Sequence, residues 1–199
     1  MPHALARPLL AFSAAFALAA CGDGEKTKTD PLLTELAPAG WADAAAAIVD
    51  RTGDTVGHVI FTNGTGGVLM RVDLGGLSQG WHGIHLHQKG DCSDGADGFK
   101  ISGGHIDPDN HEHGLLNAQG SERADLPNLY AGSDGRATAE LFRWGVSLYP
   151  TEAGAAENGP HPLLDDDGFA VVIHENPDDQ TSQPIGGAEG RVACAALNG

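Results

Sequence analysis

Val68-Leu69-Met70-Arg71-Val72-Asp73-Leu74 puts Val68, Met70, Val72 and Leu74 on one face of an extended chain and Leu69, Arg71 and Asp73 on the other. Side chains alternate between faces along a strand, so this stretch reads as a strand with one face buried and one in water. Upstream, Thr55 to Thr62 is rich in β-branched residues, and Asn63-Gly64 between the two runs is a hairpin signal. Ala-rich Trp41 to Ala47 has helix propensity, yet Ile48-Val49 running into Arg51-Thr52-Gly53-Asp54 favours a strand entering a turn. Downstream, Arg136 to Leu148, Gly168 to His174 and Arg191 to Leu197 read as further strands. With 29 Gly, 11 Pro and no long stripe of helical period, the pattern is that of a turn-rich β protein. A chain of 199 residues that is 41% apolar fills one main core.

Between these strands lies an unusual density of histidine. Six of the ten histidines fall from His82 to His113. In Trp81-His82-Gly83-Ile84-His85-Leu86-His87, two imidazoles at i and i+2 share a face, about 7 Å apart along an extended chain, so that both can reach one metal ion. Three more segments, Gly103-Gly104-His105, His111-Glu112-His113 and Val172-Ile173-His174, set histidines beside glycines, acids or a strand-like run. Copper and zinc both accept neutral imidazole, and histidine alone does not choose between them. From Gln88 to Leu129 periodicity is almost absent, and a loop of that length inside a compact domain needs a metal or a disulfide to fix it.

The formal charge of −16, with only 11 Lys+Arg and no basic cluster, excludes nucleic acid and anionic membrane surfaces as partners. Residues 1–20 combine Arg7, an apolar stretch and Leu18-Ala19-Ala20 directly before Cys21, and read as an export signal. The segment resembles the bacterial lipobox, in which cleavage precedes a cysteine that is then acylated, here Cys21; an ordinary secretory peptide is the alternative. Residues 21–44 then form a flexible tether from that anchor and 45–199 the folded domain. Cys92 and Cys194 remain. In an oxidising compartment pairing them is the economical reading, two buried thiols the alternative, and a loop this long corresponds to about 4 to 5 kcal/mol in the chain-entropy treatment.

Taken together, Gly83-Ile84-His85-Leu86-His87, Lys89-Gly90-Asp91-Cys92, Gly103-Gly104-His105-Ile106-Asp107-Pro108, His113-Gly114, Asp125-Leu126-Pro127, His174-Glu175 with Asp178-Asp179, and Gly190-Arg191-Val192-Ala193-Cys194 resemble, in order and spacing, the Cu,Zn superoxide dismutases of the bacterial exported type. The resemblance spans about residues 45 to 197. It implies an all-β, Greek-key barrel or sandwich of about eight antiparallel strands. It implies copper held by His85, His87, His105 and His174, and zinc on the far side of His105, which bridges the two as an imidazolate. Asp178 would join His85 to His113, Cys92 would pair with Cys194, and Arg191 would stand over the copper. The implied reaction is disproportionation of superoxide to dioxygen and hydrogen peroxide, with His105 as proton donor, in a periplasmic, membrane-anchored lipoprotein. An anchored copper-holding module of the same fold with little turnover is the alternative, and monomer and homodimer are both open.

The zinc site departs from the family. His105, His113 and Asp125 stand where zinc ligands are expected, but the position three before Asp125 is Glu122, where the family carries histidine. A carboxylate can bind zinc, so Glu122 is the expected fourth ligand; the rival is that Glu122 faces solvent and His111 or a water completes the shell. Arg191 is the expected attractor for an anionic substrate, with Lys89 and Lys100 weaker. His58 and His161 read as structural or exposed, His82 as packing beside the site, and Asp165-Asp166-Asp167 as a solvated turn without the donor spacing of a calcium loop.

Overall fold

The computed structural model describes residues 42–151 and 159–198, together with Met1. The expected signal segment, Cys21 and most of the tether lie outside the described residues. Seven strands form one curled antiparallel sheet: β1 (Ala44–Asp50), β2 (Thr55–Gly64), β3 (Gly67–Leu74), β5 (Ile84–His87), β7 (Ala137–Trp144), β10 (Phe169–His174) and β11 (Arg191–Leu197). Their order is β5-β10-β11-β1-β2-β3-β7. The chain runs β1 to β3 as a meander, crosses to the β5 edge, returns to β7 beside β3, then crosses back to β10. Two short pairs complete the fold: β4 (Gly80–His82) with β6 (Leu129–Ala131), and β8 (Val146–Ser147) with β9 (His161–Pro162). The expected all-β architecture is therefore present, as a half-barrel with two small flanking sheets.

On β3, Val68, Met70, Val72 and Leu74 are buried and Leu69, Arg71 and Asp73 partly exposed, as the alternation predicts. They meet Ile48, Val59, Phe61, Phe169 and Val171 in one core, where full burial of each large apolar side chain contributes roughly 1.5–3 kcal/mol. The hairpin signal is displaced: Asn63 and Gly64 still pair with Val68 and Gly67, and the reversal falls on Thr65-Gly66. There Gly66 takes φ +75°, a left-handed conformation that glycine supplies at no steric cost. The Arg136 to Leu148 stretch is divided at Gly145 into β7 and β8. β1 begins at Ala44, one residue inside the expected tether.

Two devices hold the loop from Gln88 to Asn128 against the sheet. Cys92 and Cys194 form a disulfide across a separation of 102 residues, packed with Phe99, Ala170 and Val172. The free edge of β5 also carries loop backbone: Leu86 N donates to Ala124 O (3.1 Å), and Ile106 N donates to Leu86 O (3.0 Å). Those contacts set His85 opposite Asp125 and His87 opposite His105. An edge strand whose unpaired groups would invite another chain is thus closed by the loop that carries the histidines.

Candidate metal centre

Two donor clusters sit back to back on the β5 edge. His85, His87, His105 and His174 bring one nitrogen each within 4.8 Å of one another, all four side chains being buried. His105, His113, Glu122 and Asp125 do the same on the other side, and His105 belongs to both. β5 supplies His85 and His87, the end of β10 supplies His174, and the loop supplies the rest.

Each imidazole of the first cluster is oriented through one nitrogen and leaves the other bare. His85 Nε2 donates to Asp178 Oδ2 (2.9 Å), His87 Nδ1 to Gly103 O (2.9 Å) and His174 Nδ1 to Glu189 O (3.1 Å). These acceptors fix the tautomers, so His85 Nδ1, His87 Nε2 and His174 Nε2 carry lone pairs. With His105 Nε2, they are buried and have no hydrogen-bond partner among the described residues. Unpaired buried acceptors are costly, and four converging on one point fit a metal ion. Burial lowers His85, and burial with the neighbouring His105 holds His87 well below the usual histidine range. Burial and the proximity of His85 take His174 down to about 3. Neutral imidazole is the form that binds copper.

In the second cluster, His105 Nδ1 lies 2.5 Å from Glu122 Oε2, and His113 Nδ1 lies 3.2 Å from the same oxygen. Asp125 Oδ1 is 2.7 Å from His113 Nδ1 but lacks hydrogen-bond geometry, while Asp125 Oδ2 accepts from Gly114 N (2.8 Å) and Glu122 N (2.9 Å). Two nitrogens and two carboxylates facing one point suit zinc. Burial alone would lower His113, but the carboxylates of Asp125, Asp178 and Glu122 raise it to about 11. Burial would raise Glu122; bonding to His105 and His113 takes it down to about 2. His111 is exposed and donates from Nδ1 to Ser121 O (3.0 Å), away from the cluster.

Asp178 couples the clusters, with Oδ2 on His85 and Oδ1 on His113 Nε2 (3.1 Å). Its placement depends on residues that motif reading missed. Both ends of the Asn128 amide grip the Asp178 backbone (2.8 and 2.9 Å), and the Gln183 amide grips His113 likewise (2.9 and 3.0 Å). Asn128 directly follows the Asp125-Leu126-Pro127 match, and nothing in its local sequence marks the grip. Gly186 is a third such residue: at φ +60° its backbone passes so close that an added Cβ would overlap Asp178 Oδ1. Gly186→Ala is expected to displace Asp178 and weaken metal retention about 10–100-fold, the usual cost of losing such a supporting carboxylate. Chelator competition for both metals measures it, and unchanged affinities would contradict this role.

Arg191 donates from Nη1 to Phe99 O (2.7 Å) and Ser102 Oγ (3.1 Å) and from Nη2 to Gly103 O (2.9 Å). It is half-buried beside His87 and His174, whereas Lys89 and Lys100 are exposed. His82 bonds through Nδ1 to His174 O (2.7 Å) and through Nε2 to Ser78 O (2.9 Å), a packing role. His58 is buried on β2, His161 is half-buried on β9, and Asp165 to Asp167 form an exposed turn.

Residues 55–197 match the family described as copper/zinc superoxide dismutase (SODC). A Cu-Zn superoxide dismutase of Caulobacter vibrioides is 44% identical over 155 residues, covering 77% of this chain and 84% of that protein. Among solved structures, a SOD-like protein from Bacillus subtilis superposes with a TM-score of 0.68 at 32% identity, covering 77% of this chain and 97% of that one. The Cu/Zn superoxide dismutase from Brucella abortus superposes with a TM-score of 0.58 at 25% identity, covering 77% and 98%. Fold, paired donor clusters and sequence agree that the chain belongs to the copper/zinc superoxide dismutase family, whose two metals are copper and zinc.

Proposed function

We propose that this chain disproportionates superoxide at copper held by His85, His87, His105 and His174, with zinc held by His105, His113, Glu122 and Asp125. The observation that carries this reading is the convergence of four bare, buried imidazole nitrogens, one of them on the histidine that also faces the carboxylate cluster. Copper there supplies a Cu(II)/Cu(I) couple through which two superoxide anions and two protons become one dioxygen and one hydrogen peroxide.

The protein's own groups do the rest. His105 Nε2 would take up one of the two protons when it is not holding copper and hand it on, since no hydrogen bond from the described residues occupies that ring nitrogen. Its Nδ1 faces Glu122 Oε2, where the second metal would be held, and that hold would keep the ring in place while Nε2 exchanges. Arg191 draws the anion to the mouth: the protein carries −16 overall, so the attraction must come from a local cation inside the screening length of about 10 Å. Asp178 holds His85 and His113 in register, so the bridging ring has a fixed partner on each side.

Export, cleavage before Cys21 and lipid attachment there belong to the same reading, resting on residues 1–21 of the sequence. No described helix is long and apolar enough to cross a membrane. The testing experiment compares superoxide decay with metal-free, zinc-only and copper-plus-zinc protein. Decay should rise in proportion to bound copper; copper bound at one per chain without faster decay would instead mark a copper-holding module.

A further inference from the structure

The turn that carries the Arg191 contacts is held by a carboxylate. Asp94 Oδ2 accepts from Lys100 N (2.7 Å) and Ile101 N (3.2 Å), and the Asp94 backbone oxygen accepts from Asp97 N (2.9 Å) and Phe99 N (3.2 Å). Between these contacts Phe99 takes φ +55°, a left-handed conformation uncommon outside glycine, with its ring buried in the cluster that contains Cys92 and Cys194. A backbone bent that way persists only where its surroundings fix it, and the two carboxylate–amide bonds do so directly after Phe99. The turn then presents Phe99 O, Ser102 Oγ and Gly103 O, the three acceptors of the Arg191 guanidinium.

Those three acceptors are neutral. Burial pulls Arg191 below its ordinary value, and Asp94 is the charged group that pushes it back up. The second carboxylate oxygen, Asp94 Oδ1, is shielded from solvent and accepts no hydrogen bond among the described residues. Asp94 therefore meets Arg191 through the turn and through charge, not through a bond of its own. We propose that Asp94 is a positioning residue for superoxide dismutation: it builds the turn that holds Arg191 in place for the anion, and it sets a negative charge near that cation. The two roles have opposite signs. A guanidinium held at three points attracts the anion better than a loose one, whereas the Asp94 charge itself repels the anion. This rests on Arg191 being the attractor.

The test titrates azide, an anion that binds Cu(II), into the full chain carrying copper and zinc, and follows the copper absorption band. Asp94→Asn keeps an acceptor oxygen for Lys100 N and Ile101 N and drops the charge, so azide should bind about twofold more tightly. Asp94→Ala drops the charge and the support of the turn together, and azide should bind about fivefold more weakly. In an Arg191→Met background the two variants should differ by no more than about twofold, because the charge loss they share is all that remains. Equal shifts for the two variants in the parent would overturn the proposal. So would a full difference that persists without Arg191, which would route Asp94 through Gly103 O and His87 instead. Hydrogen exchange on the metal-free chain reads the contact itself: the Lys100 and Ile101 amides should exchange about tenfold faster in Asp94→Ala than in Asp94→Asn, and equal rates overturn it too. Should Asp94→Ala fail to fold, Asp94→Ser, too short to reach both amides, takes its place with the same outcomes. Arg191→Met alone separates the two layers. If it leaves azide affinity unchanged, Arg191 is no attractor and both readings fall; if it weakens azide while the Asp94 variants shift it alike, only the positioning role falls.

Discussion

His105→Ala is expected to remove both metals from their proper sites and to reduce superoxide turnover by a thousandfold or more, on the order of what losing a direct ligand adds to the 10–100-fold cost of a supporting residue. His105 is the one residue common to the two clusters, with Nδ1 against Glu122 and Nε2 among the bare nitrogens. Truncating it strips a donor from each side and leaves Glu122 and Asp125 facing one another across the gap. Metal analysis after gel filtration should show sub-stoichiometric copper and zinc together. Full retention of both would show that the clusters do not share this residue.

Arg191→Glu comes next in size. Reversing one charge beside His87 and His174 should lower the bimolecular rate about 10–100-fold and shift its salt dependence toward acceleration by salt, because screening then relieves repulsion. The structure adds a complication absent from a purely electrostatic account. The same guanidinium holds Phe99 O, Ser102 Oγ and Gly103 O, and Gly103 O orients His87. Arg191→Lys separates the two effects: it keeps the sign of the salt dependence while losing the three-point hold, so a lower rate with an unchanged salt slope reports positioning. Stopped-flow decay across ionic strengths reads both. An Arg191→Glu protein with the parent's rate and slope would remove Arg191 from the mechanism.

Strand period made the sheet legible. Val68 to Leu74 alternates cleanly because one face is core and the other water, and Arg191 to Leu197 keeps its expected bounds as β11. His85 and His87 were legible for the same reason, since spacing by two on a strand fixes a shared face. The loop members of the two donor clusters were legible only as motifs. His105 and Asp125 reach β5 through backbone bridges that leave no periodic trace, and the grips of Asn128 and Gln183 connect residues 50 and 70 apart. Glu122 stands in between: register placed it, but only the structure turns its carboxylate onto both rings and sends His111 outward.

Product stoichiometry over many turnovers tests the central claim most directly. With protein carrying one copper and one zinc per chain and superoxide in large excess, every two superoxide anions consumed should yield one dioxygen and one hydrogen peroxide, with the rate undiminished as equivalents accumulate. Consumption that stops after about one equivalent per copper would mean the site takes an electron and holds it, which contradicts turnover at this centre.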